Sequence, residues 1–436
     1  MADRRMTLAD KYGQPMEAVL GMTHGLFRTK KQHNVSITKE GNLVVLKTAD
    51  EGSDVLHAIP LKDIHSAGTT YDDDDDRLQF VVCTGTGSFT FLAPDKATLK
   101  RWVLALNPPS SGGSESGWLT VNKKKRFCEL RKSSVVMFKE KEDRDPCGAI
   151  ALDCLCTVIP PQQTGAPTGM RRMTSRGVTF YVNTAGQQWA ITSKTVADAN
   201  RWITAIQDAI ECCPDLTTRF DKLATAHQNS DTFTLDEVFL DRAILCYSDE
   251  PLEMPLTPLP YGKIGKVPSG NEYGHPHIEA LAIFQSMIPR SKVRFGNVMD
   301  GEPWIRNLLQ VYLEVPALRN EIFCQSVKQI TRLPDIHGRF AIRHWQLVAA
   351  LCAHFRPASK YFNYIRACLH HAAQKSDNHE IIRQCANYCL EKMQKPATLP
   401  AISDELMREI MSGQGFAETE SAQMVLNHVE EPDCEA

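Results

Sequence analysis

The sequence predicts an α+β multidomain chain: two antiparallel β-barrel or sandwich domains, each with a C-terminal capping helix, followed by an all-α helical bundle. Three observations carry this. The stretch "LKRWVLALN" (99–107) has a counterpart one hundred residues later in "ANRWITAIQDAI" (199–210), with Arg101, Trp102 and Ala105 aligned to Arg201, Trp202 and Ala205. Short runs rich in β-branched and aromatic residues precede both stretches. Beyond residue 213 such runs give way to segments with apolar residues at helical spacing.

The first domain is read over residues 18–108, with strands at "NLVVLKT", "LQFVVCTG" and "SFTFLAP". The second is read over 115–212, with "RFCELRK", "SVVMFKE", "TFYVNT" and "QQWAIT". The two register without a gap at their ends: Phe80 matches Phe180, Val82 matches Val182 and Thr84 matches Thr184. In the second closing helix Val196, Ala199, Ile203, Ile206 and Ile210 recur at steps of three and four, which predicts one buried stripe. The linker "NPPSSGGSESG" (107–117) is rich in turn formers and reads as a flexible joint.

The third region is read over 213–412. Helices are predicted at "WIRNLLQVYL" (304–313), "ALRNEIFCQSVKQIT" (317–331) and "HWQLVAALCAHF" (344–355), the last apolar nearly all round and therefore central. A further helix over 377–393 opens with Asp377 and Glu380 at capping-box spacing. Residues 413–436 read as an acidic, disordered tail.

At 436 residues the chain exceeds one core. No apolar run of about 18 residues occurs, so no membrane-crossing helix is expected. "MADRRMTLADKYG" has no apolar signal region, and a cytoplasmic chain is expected. The 14 cysteines sit singly within apolar patterns and read as small buried hydrophobes rather than a disulfide framework. The net charge of −3 hides a polarity: residues 290–395 hold 16 Lys and Arg against 8 Asp and Glu, and residues 396–436 hold 1 against 9. A basic body of this kind predicts an acidic partner, or a tail that folds back over it.

The order of strands and a Trp-bearing closing helix resembles the pleckstrin-homology domain, the second copy more closely through "GWLTV" and "KKRFCEL". "PLTPLPYG" (255–262), "LRNEIFCQSVKQIT" (318–331), "WQLVAALCAHFRPAS" (345–359) and "YFNYI" (361–365) resemble the myosin tail homology 4 (MyTH4) domain. Two pleckstrin-homology copies before that domain resemble the tails of myosin X-like proteins and the motorless pleckstrin-homology family H proteins. In those relatives a FERM domain follows. The residues after Ser412 are too few for one, so receptors that dock on it are not carried over. No motor is expected before the first copy, and with it no ATP-driven stepping.

The resemblance implies that Trp102 and Trp202 cap the barrels. It also implies a phosphoinositide site between the first two strands, where the family pattern is a strand-one Lys followed by K-x-R before an aromatic. Lys124 and Arg126 fit the K-x-R, and Lys123 and Lys125 fall on the opposite face at a two-residue period. The strand-one Lys is replaced by Val121. Two readings stand for Lys123, Lys124, Lys125 and Arg126: attachment to an anionic phosphoinositide membrane, or a solvated edge that blunts aggregation. The first copy has Arg28, Lys30 and Lys31 without the pattern, and five aspartates (72–76) that repel phosphate; it is expected to have lost lipid chemistry.

In the helical domain the resemblance implies binding to microtubules or another acidic cytoskeletal partner. Lys360, Arg366 and Lys375 keep the expected charge, while Asn363, His370 and His371 stand where Lys or Arg is expected. Histidine titrates near pH 6.5, so this patch is expected to strengthen on acidification. Cys385 and Cys389 fall on an apolar stripe without metal-ligand spacing, His275-Pro-His277 reads as a turn, and no phosphate loop or nucleophile elbow appears. No catalytic residue, metal or cofactor is expected. The expectation is a non-enzymatic adaptor between membrane and cytoskeleton, and the alternative is a protein–protein scaffold with lipid-blind barrels.

Overall fold

The computed structural model describes residues 16–24, 29–49, 53–69, 78–85, 87–107, 115–143, 145–161, 177–226, 242–289, 294–333, 339–374, 380–394 and 401–413. Chain contacts divide the protein into two compact units, Met1–Leu216 with Pro260–Gly262, and Thr217–Leu259 with Lys263–Ala436.

The first unit holds two antiparallel sheets of identical topology. The strands β1 (Met16–His24), β2 (Thr29–Ile37), β3 (Asn42–Leu46), β4 (Val55–Pro60), β5 (Ile64–Thr69), β6 (Gln79–Thr84) and β7 (Gly87–Leu92) pair in the order β4-β3-β2-β1-β7-β6-β5. Helix α1 (Lys96–Leu106) follows. The strands β8 (Ser116–Val121), β9 (Lys124–Arg131), β10 (Ser134–Phe138), β11 (Gly148–Ala151), β12 (Thr157–Ile159), β13 (Val178–Asn183) and β14 (Gln188–Ser193) repeat that order as β11-β10-β9-β8-β14-β13-β12. Helix α2 (Val196–Glu211) closes the second set.

The repeat extends to single bonds. Thr84 and Thr184 each donate a hydroxyl to a carbonyl three residues on, Gly87 at 2.9 Å and Gln187 at 3.0 Å. Asp95 caps α1 through the Thr98 amide, and Thr195 caps α2 through the Asp198 amide. Trp102 and Trp202 are buried in the two cores, with Phe80 stacked 6.1 Å from Trp102. One expectation fails: Val196 is the first residue of α2 and is 61% exposed, because the stripe meets the core only from Ala199 onward.

The two barrels of this unit share packing. Phe127, Val136, Phe138 and Ala149 of the second set join the core cluster of the first. Strands β5 and β11 abut without a ladder, held by Ser66 Oγ donating to Leu152 O (2.6 Å), Ser134 Oγ accepting from Ala67 N (3.2 Å) and Thr69 Oγ1 donating to Ala149 O (3.2 Å). Gly68 permits this approach, since a Cβ there would fall 2.4 Å from Ala151 N. Side-chain hydroxyls thus supply partners to Leu152 O, Ala67 N and Ala149 O where these strands meet.

The second unit is helical: α3 (Arg219–Thr225), α4 (Pro276–Ser286), α5 (Glu302–Glu314), α6 (Arg319–Ile330), α7 (Arg339–His354), α8 (Ser359–Gln374), α9 (Glu380–Gln394) and α10 (Asp404–Ser412). A short hairpin, β15 (Gly265–Lys266) with β16 (Glu272–Tyr273), departs from the all-α expectation. His275-Pro-His277 is a helix start rather than a turn: His275 caps α4 and Pro276 takes its first position, where no amide donor is needed. Among the described residues no helix is long and apolar enough to cross a membrane.

Helix α6 is buried on every side from Glu321 to Ile330. Its polar side chains hold the irregular arm 242–259. Glu321 accepts from the Leu256 amide (2.8 Å), the Thr257 amide (2.7 Å) and the Thr257 hydroxyl (2.6 Å). Gln329 bonds Ser248 through both ends of its amide. Lys328 donates to the carbonyls of Ala243 and Cys246, and burial draws its pKa down to about 8. An arm without regular structure still carries backbone donors and acceptors, and α6 supplies their partners.

Candidate functional site

The four basic residues of the second copy lie on one hairpin. Val121 pairs with Lys124 and leaves a two-residue turn in which Asn122 (φ 46°) and Lys123 (φ 70°) are left-handed, the geometry that matches strand twist. The turn is tied to the neighbouring strand: the Asn122 amide donates to Ala190 O (2.9 Å), and Asn122 Oδ1 accepts from the Ala190 amide (3.0 Å). The tip is therefore held in place by β14.

The alternation of β9 then divides the cations. Lys124 and Arg126 share a face with Cys128 and Leu130, which point into the barrel core. Both are half-buried, and Arg126 donates to the Lys125 carbonyl (3.1 Å). Lys123 and Lys125 are exposed and belong to the outer side, where Lys125 Nζ sits 4.4 Å from the Trp118 ring centroid. The four do not converge on one hollow.

The outer side holds a groove of about 970 Å³ lined by Trp118, Thr120, Lys123, Lys125, Thr192 and Lys194 among others. Its floor is a cross-strand row: Lys125 pairs with Thr120, Thr120 with Thr192, and Thr192 with Thr179. The Thr179 and Thr192 hydroxyls lie 2.7 Å apart. Gly177 (φ 53°) stands at one end, where a Cβ would fall 2.2 Å from Ser193 O. Among the described residues no carboxylate lines the groove. Among the described residues Lys123, Lys125 and Lys194 enter no ion pair. Sequence reading missed Lys194 and the threonines, because the pairing of β8 with β14 spans about seventy residues and no local pattern announces it.

The cations read as an acidic-partner patch have a different setting. Lys360 is bound to Asp221 at 2.9 Å, and Asp221 is fully buried and also accepts the Tyr361 hydroxyl (2.6 Å). Arg366, His370 and His371 are half-buried on α8. Burial first, and the Arg366 charge second, lower the His370 pKa below its ordinary value. Lys375 lies outside the described residues, as do Arg28, the aspartates at 72–76, the Asp377 cap and the tail beyond residue 413. Elsewhere in the helical unit Arg294 binds Glu279, Arg306 binds Glu302 and Asp404, Arg319 donates to the Tyr312 and Leu313 carbonyls, and Arg383 binds Glu380. Cys385 and Cys389 are buried in the core.

Comparison with known proteins places families on this geometry. Residues 109–211 match the model of the PH domain, and residues 305–405 match that of the MyTH4 domain. Both are non-catalytic domains. Human pleckstrin homology domain-containing family H member 3 is 28% identical over 269 residues, 59% of this chain and 31% of that protein, so the match spans about a third of the relative's length. Myosin-I heavy chain of Dictyostelium discoideum is 36% identical over 75 residues, 17% of this chain and 3% of that one. Among solved structures, the MyTH4-FERM MF1 domain of Dictyostelium discoideum myosin VII is 20% identical, with a TM-score of 0.30 over 45% of this chain and 39% of that one. The chain carries a PH domain followed by a MyTH4 domain, and it is similar in sequence to the family H member.

Proposed function

We propose that the protein is a non-enzymatic adaptor that attaches to an anionic phosphoinositide membrane through its second barrel and engages an acidic cytoskeletal partner, microtubules foremost, through its helical domain. The observation that carries the membrane half is the hairpin at Lys123–Arg126. It sits in a matched PH domain, its tip is fixed by Asn122, and among the described residues two of its cations enter no ion pair. Each cation held near an anionic surface contributes about 1 kcal/mol. Sedimentation of the full chain with anionic vesicles tests this reading. Replacing Lys123, Lys124, Lys125 and Arg126 together by Ala should release it from the pellet, and a wild-type chain that ignores such vesicles would leave the lipid-blind scaffold instead.

The cytoskeletal half rests on the MyTH4 match and on α8. Its charge is smaller than the sequence suggests, since Lys360 is held by Asp221. Arg366, His370, His371 and Lys375 are the residues assigned to that contact. Co-sedimentation with microtubules at low salt tests it, and absence from the pellet at every pH would remove it.

A further inference from the structure

We infer that α10 is an acid-released latch: His354 of α7 holds the start of that helix as a hydrogen-bond acceptor, and a proton on its ring lets α10 leave the bundle. The inference stands apart from both halves of the adaptor reading.

The geometry fixes the protonation state of the ring. His354 is fully buried, its Nδ1 lies 2.9 Å from Ala350 O, and its Nε2 accepts the Ser403 amide at 3.1 Å. A carbonyl only accepts and an amide N–H only donates, so Nδ1 carries the hydrogen and Nε2 the lone pair. The one place left for a second proton is Nε2, where it would set two donors against each other. Burial first, and the Arg306 charge with it, lower the His354 pKa below its ordinary value against the pull of the Ala350 carbonyl.

What this acceptor holds is small. Helix α10 has 9 residues, packs against α7 and buries Met407, Ile410 and Met411. Its polar ties to the bundle are the Ser403 amide on His354, Asp404 Oδ1 accepting from Arg306 (2.8 Å), and Met411 O accepting from Gln346 (3.3 Å). Two of these meet at the helix start. A new positive charge on His354 would stand there beside Arg306 and beside the positive end of the α10 dipole.

The carboxylates at that point are already engaged: Asp404 and Glu302 are both bound to Arg306, and Glu405 is exposed to solvent. On the other elements around α7, Asp300 accepts the Asn297 amide, Glu321 and Lys328 are turned to the arm, and Arg383 is paired with Glu380. Arg343, on α7 itself, donates to Gln346. A short helix held by so few ties belongs to the part of a fold that opens first.

The test uses the full chain and hydrogen peroxide, which oxidises an accessible methionine thioether to the sulfoxide and is itself reduced to water. Sulfoxide formation is followed by peptide mass spectrometry at about pH 7.5 and about pH 5.5. Met407 and Met411 report the release of α10, and Met287 and Met393, buried in the same core, report unfolding of the whole bundle. Oxidation of Met407 and Met411 should rise up to about tenfold at the lower pH, the ratio that a released histidine titrating near 6.5 gives one unit below that value, while Met287 and Met393 keep their rates. His354→Gln keeps an acceptor that takes no proton and should hold the rates equal at the two pH values. His354→Ala loses the acceptor outright and should raise them already at about pH 7.5, without further pH dependence. The wild-type comparison of the four methionines decides the matter even where a variant fails to fold, which its melting temperature reports. Equal rates for Met407 and Met411 at both pH values in wild type, a rise shared by all four methionines, or a rise that survives in folded His354→Gln would each overturn the latch.

Discussion

The second barrel and the helical bundle are both rich in cations, and they use them in opposite ways. In the barrel, Lys123, Lys125 and Lys194 line a groove in which no described residue is a carboxylate. In the bundle, where basic residues outnumber acidic ones two to one over 290–395, Arg294, Arg306, Lys360 and Arg383 are bound to carboxylates and Lys328 is buried against carbonyls. Formal charge measures what a partner at long range feels. It does not measure which ammonium or guanidinium is open to a new contact, because an internal partner must first be given up. Among the described residues, the bundle thus commits several of its cations to internal partners, while Lys123, Lys125 and Lys194 of the barrel enter no ion pair.

The strongest way to break this contrast is to remove a charge that the bundle holds inside. Glu321 accepts four donors from the arm and from Gln325, and its burial pushes the carboxyl above the usual carboxylate range. Glu321→Ala leaves the Leu256 and Thr257 amides buried without an acceptor. Denaturant unfolding of the helical unit should show a loss of about 3–5 kcal/mol, with Glu321→Gln between that variant and wild type. Loss below about 1 kcal/mol would mean that water replaces the carboxylate and that the arm is not clamped.

Next in size is a pH effect. His344 is buried beside Trp304, its Nδ1 is 2.8 Å from Phe340 O, and burial holds its pKa down at about 4 from 6.5. The folded imidazole stays neutral while the unfolded one takes a proton, so its contribution is whole above the unfolded value and declines as pH falls toward 4. Unfolding followed from pH 7 to 4 should show His344 lowering stability by roughly 3 kcal/mol. His344→Gln should flatten that slope, and an unchanged slope would assign it to another group.

Much of the fold was readable because the repeat is written in core positions. Phe80 and Phe180, Val82 and Val182, and Trp102 and Trp202 fill equivalent places, and a period of two or 3.6 exposes such residues without knowledge of the tertiary structure. Helix α4 was not readable, since Pro276 after a capping His looks like a turn until the backbone is seen to continue helically. The partners of the polar side chains of α6 were not readable either, because they lie in an arm about 64 to 85 residues away. In the candidate site, strand alternation correctly separated Lys123 and Lys125 from Lys124 and Arg126. What it did not carry was Lys194, or the pairing of Lys360 with an aspartate 139 residues earlier.

That last pair supplies a sharper, smaller test. Lys360→Ala removes a half-exposed partner from the fully buried Asp221, which keeps Tyr361 and the Thr218 cap. Stability should fall by about 1–3 kcal/mol, less than for Glu321 because solvent screens the exposed ammonium. Affinity for microtubules, measured on the folded variant, should change by less than about twofold. A large loss of affinity with little loss of stability would reverse the contrast and return Lys360 to the binding face.

The smallest expected effect concerns His370. An ordinary histidine would add charge to α8 as pH falls through 6.5. Here burial, and then the positive charge of Arg366, hold the ring neutral to lower pH. Any rise in microtubule co-sedimentation on acidification should therefore be centred below pH 6.5 and stay under about threefold. His370→Ala should shrink the rise without altering binding at about pH 7.5, any remainder falling to His371. A rise centred at or above pH 6.5 would show that the titrating group lies elsewhere, and that α8 keeps more usable charge than its packing allows.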